Sequence, residues 1–337
     1  MGAGRYELER QLGAGYFGEV HLAADLDEGG QVAVKLFRPS VRLDEAMLEA
    51  QLQRRLSKHP RVVALRNLDV RTSLGPIVVT EYMPGGSAAD RIGSGAAPLT
   101  TALRWAVDVA DALVHAHAQG VLHRDAKPSN LLIDAAGHAC LCDFGVAEDC
   151  FTSVGGSQVY PALSAPELLS TGNTEQTEVW MVGTLLHRLA LGAYPYPAGG
   201  IGLPASATID PQSLDPQVPT ALARVMQRAL AVDPAARYAT ARELRDALLA
   251  VDVVTQFSTA DISDGALARW TAPVPAGTAI VEVAPTPNAT FSARLRLDRG
   301  TSSGPRTIEA RPRRSGEGGA LRDARTLLRA VVEGRLP

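Results

Sequence analysis

Residues 123–130 read His-Arg-Asp-Ala-Lys-Pro-Ser-Asn, and the tripeptide Asp-Phe-Gly follows at residues 143–145. Asp125, Asn130 and Asp143 offer carboxylate and carboxamide oxygens, which are the hard ligands that Mg²⁺ prefers. Lys127 lies close after Asp125, and an aspartate beside a lysine suits proton handling and charge neutralisation at a transferring phosphoryl group. The two stretches therefore indicate a site for phosphoryl chemistry.

A glycine-rich turn lies upstream of these stretches. Gly13, Gly15, Gly18 and Val20 follow the spacing Gly-x-Gly-x-x-Gly-x-Val. Three spaced glycines alone are a weak signal, because dinucleotide-binding folds and ordinary turns use the same pattern. A dinucleotide site needs a helix after the glycines, whereas strand-forming residues flank this turn on both sides. The turn is therefore predicted to be a hairpin able to fold over phosphates.

Lys35 ends the apolar stretch Val-Ala-Val at residues 32–34. One interpretation is an exposed lysine on an edge strand. The other is a cation beside the glycine hairpin that neutralises nucleotide phosphates, and such a cation needs an acid to hold it. Glu49, in the middle of a helix predicted over residues 42–57, supplies that acid, and Glu45 one turn earlier is the alternative.

Taken together, in this order and spacing, the motifs resemble those of eukaryotic-type protein kinases, and specifically Ser/Thr kinases of the bacterial kind, over about residues 5–250. The resemblance implies an α+β, bilobal protein-kinase fold. A β-rich N-lobe is expected over residues 1–82 and an α-rich C-lobe over residues 83–252. The implied reaction transfers the γ-phosphoryl group of ATP to a Ser or Thr hydroxyl of a protein substrate, with Mg²⁺ as the metal.

The resemblance also implies a set of ATP-contacting residues. Gly13, Gly15 and Gly18 would cover the phosphates, and Val20 and Ala33 would sandwich the adenine. Thr80 would be the gatekeeper, and Glu81, Tyr82 and Met83 would form the hinge that follows it. Lys35 would contact the α- and β-phosphates and pair with Glu49. Cys142 is predicted to line the same pocket.

The implied chemical roles fall on the stretches quoted first. Asp125 would be the catalytic base toward the substrate hydroxyl, and Lys127 would neutralise the γ-phosphate. Asn130 and Asp143 would hold the Mg²⁺ ions. A lysine at position 127 favours a Ser/Thr over a Tyr substrate.

Further residues follow or depart from the family pattern. Residues 164–167 and 233–237 resemble the segments whose Glu167 and Arg237 form an ion pair. Glu178 stands where the family usually has an aspartate that anchors the catalytic-loop backbone, and one extra methylene is expected to shift that anchor.

Arg124, beside the catalytic aspartate, favours an anionic partner, because a buried arginine needs its charge compensated. The hypothesis that follows is autophosphorylation of the activation segment. Thr152 and Ser153 are the candidate hydroxyls.

Residues 253–337 are predicted to be a separate α+β accessory module. A helix is expected at residues 264–270, strands at 278–283, 290–298 and 306–311, and a last helix after 319. Residues 287–337 hold 11 Arg and no Lys against 5 acidic residues, a charge of +6, so the remaining residues carry −9. A docking site for a regulatory protein is favoured over a passive appendage and over nucleic-acid contact. The arginines and the element order resemble double-stranded-RNA-binding modules, but those modules carry lysines at the start of the last helix, and this sequence has none there.

Composition excludes several other classes. The chain has 337 residues, 46% hydrophobic and 20% charged, which is ordinary globular usage. Its three cysteines lie between residues 140 and 150 and form no disulfide framework. No apolar run suits a membrane span or a signal peptide, so a cytoplasmic protein without membrane contact is expected. The alternative to an active kinase is a catalytically weak pseudokinase scaffold that acts through its C-terminal module.

Overall fold

The computed structural model describes residues 2–15, 18–38, 41, 43–72, 74–144, 148–149, 165–168, 172–195, 211–215, 217–252, 258–259, 268–274, 277–285, 291–298, 306–309, 323–324, 326–328 and 330–331. These residues form two compact units. The first holds the described residues of 1–97, 101–208 and 228–249, and the second those of 98–100, 209–227 and 250–337. Gly145, Thr152, Ser153 and the loop up to residue 164 lie outside the described residues.

The first unit opens with an antiparallel sheet. Its strands are β1 (Gly2–Ala3), β2 (Tyr6–Ala14), β3 (Gly18–Asp25), β4 (Gln31–Phe37), β5 (Leu65–Thr72) and β6 (Gly75–Glu81). They pair in the order β1-β2-β3-β4-β6-β5. Because side chains alternate along a strand, Val32 and Val34 enter one buried cluster, whereas Phe37 enters the cluster on the other face.

The helix α1 (Leu43–Leu56) lies against the Phe37 face of this sheet. Its small residues Ala46 and Ala50 are buried with Phe37 and Val78. Their spacing of four residues places them on one side of a helix, and small side chains allow a close approach to the sheet. This packing brings the middle of α1 toward residues 33, 35 and 37 of β4.

Helices dominate the chain between β6 and residue 249. They are α2 (Ala88–Ile92), α3 (Leu99–His117), α4 (Glu175–Leu191), α5 (Pro211–Leu214), α6 (Thr220–Ala229) and α7 (Ala241–Leu249). Two short antiparallel pairs join β7 (Val121–Leu122) to β10 (Glu148–Asp149), and β8 (Leu131–Ile133) to β9 (Ala139–Leu141). In the part of the chain that the structure describes, no helix has the length and apolarity to cross a membrane.

The helix α4 has clear sequence signals at both ends. Thr174 is its N-cap and forms a capping box with Thr177. Gly192 ends the helix in the left-handed conformation, with φ 69°, where glycine carries no steric penalty. The N-cap fixes where the helix begins, and therefore where its first acidic residues, Glu175 and Glu178, lie.

The second unit contains a meander of five strands and a helical segment. The strands are β11 (Ser258–Thr259), β12 (Ala268–Val274), β13 (Gly277–Pro285), β14 (Phe291–Asp298) and β15 (Arg306–Glu309), each antiparallel to the next. Residues 323–324, 326–328 and 330–331 are helical. One apolar cluster joins that segment to the sheet: Ala272, Ala279, Val281, Val283, Ala293, Leu295, Ala324, Leu327, Leu328 and Val331.

The predicted α+β fold class, with a strand-rich first part and a helix-rich second part, is confirmed. The helix predicted at 264–270 is wrong for residues 268–270, which begin β12. There Trp270, Ala272 and Val274 belong to the apolar cluster of the sheet, so the period is two and not 3.6. Residues 261–267 lie outside the described part of the chain.

A second boundary also differs from the prediction. The apolar and β-branched residues between positions 62 and 68 predict a strand there, but β5 begins only at Leu65. Val62 and Val63 are buried, but Val63 donates its backbone N–H to the carbonyl of Leu141, at 3.0 Å, rather than to the sheet. The apolar character of Val62 and Val63 therefore indicated that they are buried, but not whether they belong to this sheet.

Candidate active site

Lys35 lies on β4 and reaches the middle of α1. The Lys35 Nζ donates hydrogen bonds to Glu49 Oε1 at 2.6 Å and to Asp143 Oδ1 at 3.2 Å. Lys35 is therefore not an exposed edge-strand lysine, because its side chain is only 15% exposed. A single cation connects the sheet, the helix α1 and the segment that follows β9.

The charge of this cation is secured by its surroundings. Burial alone would lower the pKa of Lys35, but the negative charges of Glu49 and Asp143 outweigh burial and raise that pKa above its ordinary value. The lysine is therefore protonated at neutral pH. A positive charge is available beside the glycine hairpin at the position where nucleotide phosphates would lie.

Asp125 is held by two residues of its own loop. Lys127 Nζ donates to Asp125 Oδ2 at 2.6 Å, and Asn130 Nδ2 donates to the same oxygen at 2.9 Å. Asn130 Nδ2 also donates to the backbone carbonyl of Asp125, at 2.9 Å. Because the amide nitrogen of Asn130 is engaged with Asp125, its carboxamide oxygen is the atom that can ligate a cation.

Two residues of the site have a left-handed backbone although neither is glycine. Arg124 has φ 71° and Asp143 has φ 64°. Such conformations cost roughly 1–2 kcal/mol for residues with a Cβ. His123 links the two segments, since its Nδ1 accepts from the Asp125 N–H at 3.2 Å and its Nε2 lies 3.0 Å from the Cys142 carbonyl. The strained positions are thus held by side-chain contacts.

The glycine hairpin joins β2 to β3 and lies over the same region. The N–H of Gly15 donates to the carbonyl of Gly18 at 2.8 Å, which closes the turn. A Cβ on Gly18 would lie 2.0 Å from the carbonyl oxygen of Leu36, so only glycine fits there. Val20 pairs across the sheet with both Gly13 and Lys35.

The hinge segment follows β6. Ala33 lies opposite the predicted gatekeeper Thr80 in the sheet. The Glu81 carboxylate accepts from the Ala64 N–H at 3.1 Å, so its side chain is used within the protein. The backbone of Glu81, and not this carboxylate oxygen, is therefore the part of the residue left to contact an adenine. Met83, 8% exposed, is buried in a small apolar cluster against which Cys142 packs.

Comparisons with known proteins agree with this geometry. Residues 6–249 match the family described as the protein kinase domain. The chain belongs to the protein kinase family.

Relatives within this family include two proteins that are named as serine/threonine-protein kinases. The chain is 31% identical over 270 residues to the serine/threonine-protein kinase PknB of Mycobacterium leprae, covering 73% of this chain and 43% of that protein. It is 32% identical over 205 residues to CBL-interacting serine/threonine-protein kinase 21 of Arabidopsis thaliana, covering 57% and 48%. It is 36% identical over 231 residues to CBL-interacting protein kinase 22 of Oryza sativa, covering 59% and 51%. The chain thus spans about half the length of these relatives.

The predicted ion pair of the protein kinase family between Glu167 and Arg237 is confirmed. Arg237 Nη1 and Nη2 donate to the two Glu167 oxygens, each at 2.7 Å. The Arg237 side chain is fully buried, and its guanidinium lies 4.8 Å from the ring of Trp180. The bidentate geometry compensates the buried charge.

The glutamate that departs from the kinase pattern still anchors the catalytic loop. Glu178 Oε1 accepts from the Arg124 backbone N–H at 2.6 Å, and Glu178 Oε2 lies 2.5 Å from His117 Nε2. Burial would raise the pKa of Glu178, but the hydrogen bond and charge of His117 lower it below its usual range. The extra methylene therefore does not remove the anchor, because the longer side chain reaches both partners.

Asn173 is a residue of the site that sequence reasoning missed. With its amide oxygen facing Arg124, the orientation that gives both amide atoms complementary partners, this oxygen accepts from Arg124 Nε at 2.9 Å and Nη2 at 3.2 Å. No motif spacing connects residue 173 to residue 124.

Proposed function

We propose that the chain is a protein Ser/Thr kinase that transfers the γ-phosphoryl group of ATP to a protein hydroxyl. The observation that carries the proposal is the contact of Lys35 Nζ with both Glu49 and Asp143, at 2.6 and 3.2 Å. This contact joins the sheet to the segment that contains Asp143, a candidate metal ligand. Such an assembled arrangement is what phosphoryl transfer by positioning and charge neutralisation requires.

The residues of the site would have separate roles in this reaction. Asp125 accepts the proton of the attacking hydroxyl, while Lys127, 2.6 Å from it, supplies positive charge near the transferring group. Lys35 holds the α- and β-phosphates. Gly13, Gly15 and Gly18 cover the phosphates, Val20 and Ala33 enclose the adenine, and the backbone of Glu81 and Met83 orients it.

Protein kinases generally use ATP and Mg²⁺, and the residues present fit both. The carboxylate of Asp143 and the carboxamide oxygen of Asn130 would hold the metal. One carboxylate and one amide suit Mg²⁺, which keeps waters and takes further ligands from substrate phosphates. Bound Mg·ATP supplies the phosphoryl group and the divalent charge that offsets the negative charge of the phosphates.

The test is phosphoryl transfer from radiolabelled ATP to a generic protein substrate. Asp143→Asn is expected to reduce labelling at least a hundredfold, since it removes both a metal ligand and a partner of Lys35. Asp27→Asn, at a carboxylate whose side chain is 68% exposed and outside the site, is the matched control and should keep full labelling.

Two outcomes would contradict the proposal. Unchanged labelling by Asp143→Asn would remove the assigned site. A wild-type chain whose thermal stability rises with Mg·ATP but that transfers no label would instead support the pseudokinase scaffold.

We further propose that residues 253–337 form an accessory domain, after lobes at 1–82 and 83–252, and that it binds a regulatory protein. Nucleic acid is disfavoured because a cross-strand row in the sheet alternates in sign: Arg269, Glu282, Arg294 and Glu309 lie opposite one another in turn. Arg269 Nη2 lies 2.9 Å from Glu282. A gel shift of the full chain with RNA and DNA across a salt series tests this, and binding that weakens steeply with salt would contradict it.

A cytoplasmic location is part of the same proposal. Cys140 and Cys142 are free thiols, as is usual in reducing compartments. Fractionation of cells that express the chain would test it, and recovery from a membrane or secreted fraction would count against it.

A further inference from the structure

The catalytic loop carries a strained residue directly before its aspartate. Arg124 has φ 71°, and Asp125 follows it in the chain. A non-glycine residue keeps a left-handed backbone only where its surroundings impose it. The position of the Asp125 carboxylate therefore depends on what holds Arg124.

Two groups at the beginning of α4 hold Arg124. Glu178 accepts from its backbone N–H at 2.6 Å. The Asn173 side-chain oxygen accepts from its guanidinium at two atoms, Nε at 2.9 Å and Nη2 at 3.2 Å. The backbone and the side chain of Arg124 are thus each hydrogen-bonded to a different residue near the beginning of α4.

Asn173 is itself well placed to act as a fixed acceptor. It directly precedes Thr174, the N-cap of α4. The Thr174 N–H donates to Thr177 Oγ1 at 3.0 Å, and the Thr177 N–H donates to Thr174 Oγ1 at 3.3 Å. This capping box fixes the backbone next to Asn173, so the carbonyl oxygen of its side chain starts from a rigid base.

We propose that Asn173 is a positioning residue for the catalytic loop. Its neutral amide oxygen gives the Arg124 guanidinium two hydrogen bonds that require no phosphate group, and so helps to keep Arg124 and Asp125 in place in the unphosphorylated chain. The proposal rests on the proposed kinase activity. Asn173 touches neither reacting group, so it acts through Arg124.

The first test is amide hydrogen exchange of residues 121–127 in the full chain. Asn173→Ala should raise exchange there about tenfold, because it removes hydrogen bonds to a charged group. Asn173→Asp keeps an acceptor and should restore wild-type exchange. Asn67→Ala is the matched control, since Asn67 donates to the Tyr6 hydroxyl at 2.9 Å in the sheet, and it should leave exchange in the loop unchanged.

The second test separates positioning from general destabilisation. Asn173→Ala should lower kcat about tenfold with the KM for ATP unchanged, and Asn173→Asp should recover it. In an Arg124→Ala background, Asn173→Ala should cause no further loss of kcat, since its partner is already gone.

The outcomes distinguish the two proposals. If the wild-type chain transfers no phosphoryl group, the proposed function fails, and exchange alone decides the role of Asn173. Unchanged exchange and kcat in Asn173→Ala would overturn the inference. So would equal losses in Asn173→Ala and Asn67→Ala, or a full additional loss in the Arg124→Ala background.

Discussion

At the scale of single residues, Glu178 shows that one carboxylate can hold two partners at once. The carboxylate reaches the Arg124 N–H with one oxygen and His117 with the other, and it is 1% exposed. His117, the last residue of α3, completes the arrangement with a side chain that is 5% exposed. Burial would lower the pKa of His117, but Glu178 raises it, which favours the charged pair.

Glu178→Asp, which introduces the residue usual in the family, is expected to lower kcat about tenfold. The shorter side chain withdraws its carboxylate by about 1.5 Å, one carbon–carbon bond, and cannot keep both contacts. Losing one charge-assisted hydrogen bond corresponds to about 1.5–3 kcal/mol. Steady-state kinetics should show the loss in kcat and not in the KM for ATP.

The same substitution elsewhere on α4 serves as the control. Glu175 lies 3.3 Å from His117 Nδ1, but its side chain is 41% exposed. Glu175→Asp should therefore leave kcat within twofold. A Glu178→Asp variant as active as the wild type would show that the extra methylene has no role.

Cys142 is expected to react slowly despite its place beside Asp143. Burial raises the pKa of Cys142 well above that of an ordinary thiol, and burial likewise raises the pKa of Cys140 to about 11. Because the thiolate is the nucleophile, alkylation at pH 7.5 should be at least tenfold slower in the folded chain than in urea. Mass spectrometry after timed labelling measures this, and ATP should slow it further. Fast labelling of the folded chain, or no protection by ATP, would contradict the placement.

At the scale of elements, the hairpin between β2 and β3 is defined by close backbone approach at one glycine. Gly18 leaves no room for a Cβ beside Leu36, whereas a Cβ on Gly13 would meet nothing within 4 Å. The two glycines of one motif therefore differ in what they require.

Gly18→Ala is expected to lower the thermal unfolding midpoint by several degrees and to weaken ATP binding. The added methyl group must displace the backbone of β4, and overpacking of this kind costs about 1–3 kcal/mol. Gly13→Ala is the matched control and should unfold within about one degree of the wild type. Equal midpoints for the two variants would refute the steric argument. Thermal unfolding followed by circular dichroism makes the measurement.

Element types were predictable where the apolar period was long and the ends carried caps. The apolar pattern of residues 176–191 predicts a helix, which α4 confirms, with Thr174 and Gly192 at its ends. The helix predicted at 264–270 is wrong for residues 268–270, because so short a stretch does not distinguish a period of two residues from one of 3.6. The apolar pattern also placed the start of β5 too early, because burial of Val62 and Val63 comes from contact with the β9 segment.

At the scale of the whole molecule, the sequence located the candidate site through residues whose chemistry and spacing are local. Lys35, Glu49 and Asp143 are far apart in the chain, yet each lies in a recognisable stretch, and the structure brings them together. Asn173 was not predictable, since its contact with Arg124 depends on how α4 approaches the catalytic loop. A contact of this kind leaves no repeating pattern in the sequence from which it could be predicted.

Autophosphorylation stays a prediction for the molecule as a whole. Incubation with ATP and Mg²⁺ should place phosphate on Thr152 or Ser153, and Asp143→Asn should abolish it, since the chain would then lack a metal ligand. Phosphosite mapping by mass spectrometry checks both. Full activity with an unmodified activation segment would refute the hypothesis and would agree with the contact between Arg124 and Asn173.

The alternating row in the C-terminal sheet has a consequence for strand registration. A slip of two residues between β12 and β13 would keep every side chain of the apolar cluster on the face that meets the helical segment, so hydrophobic patterning alone does not forbid it. In the native register Arg269 lies opposite Glu282, whereas the slip would place it opposite Ile280 or Ala284. The row of opposite charges therefore favours the native register of β12 and β13 over the slipped registers that the apolar pattern also allows.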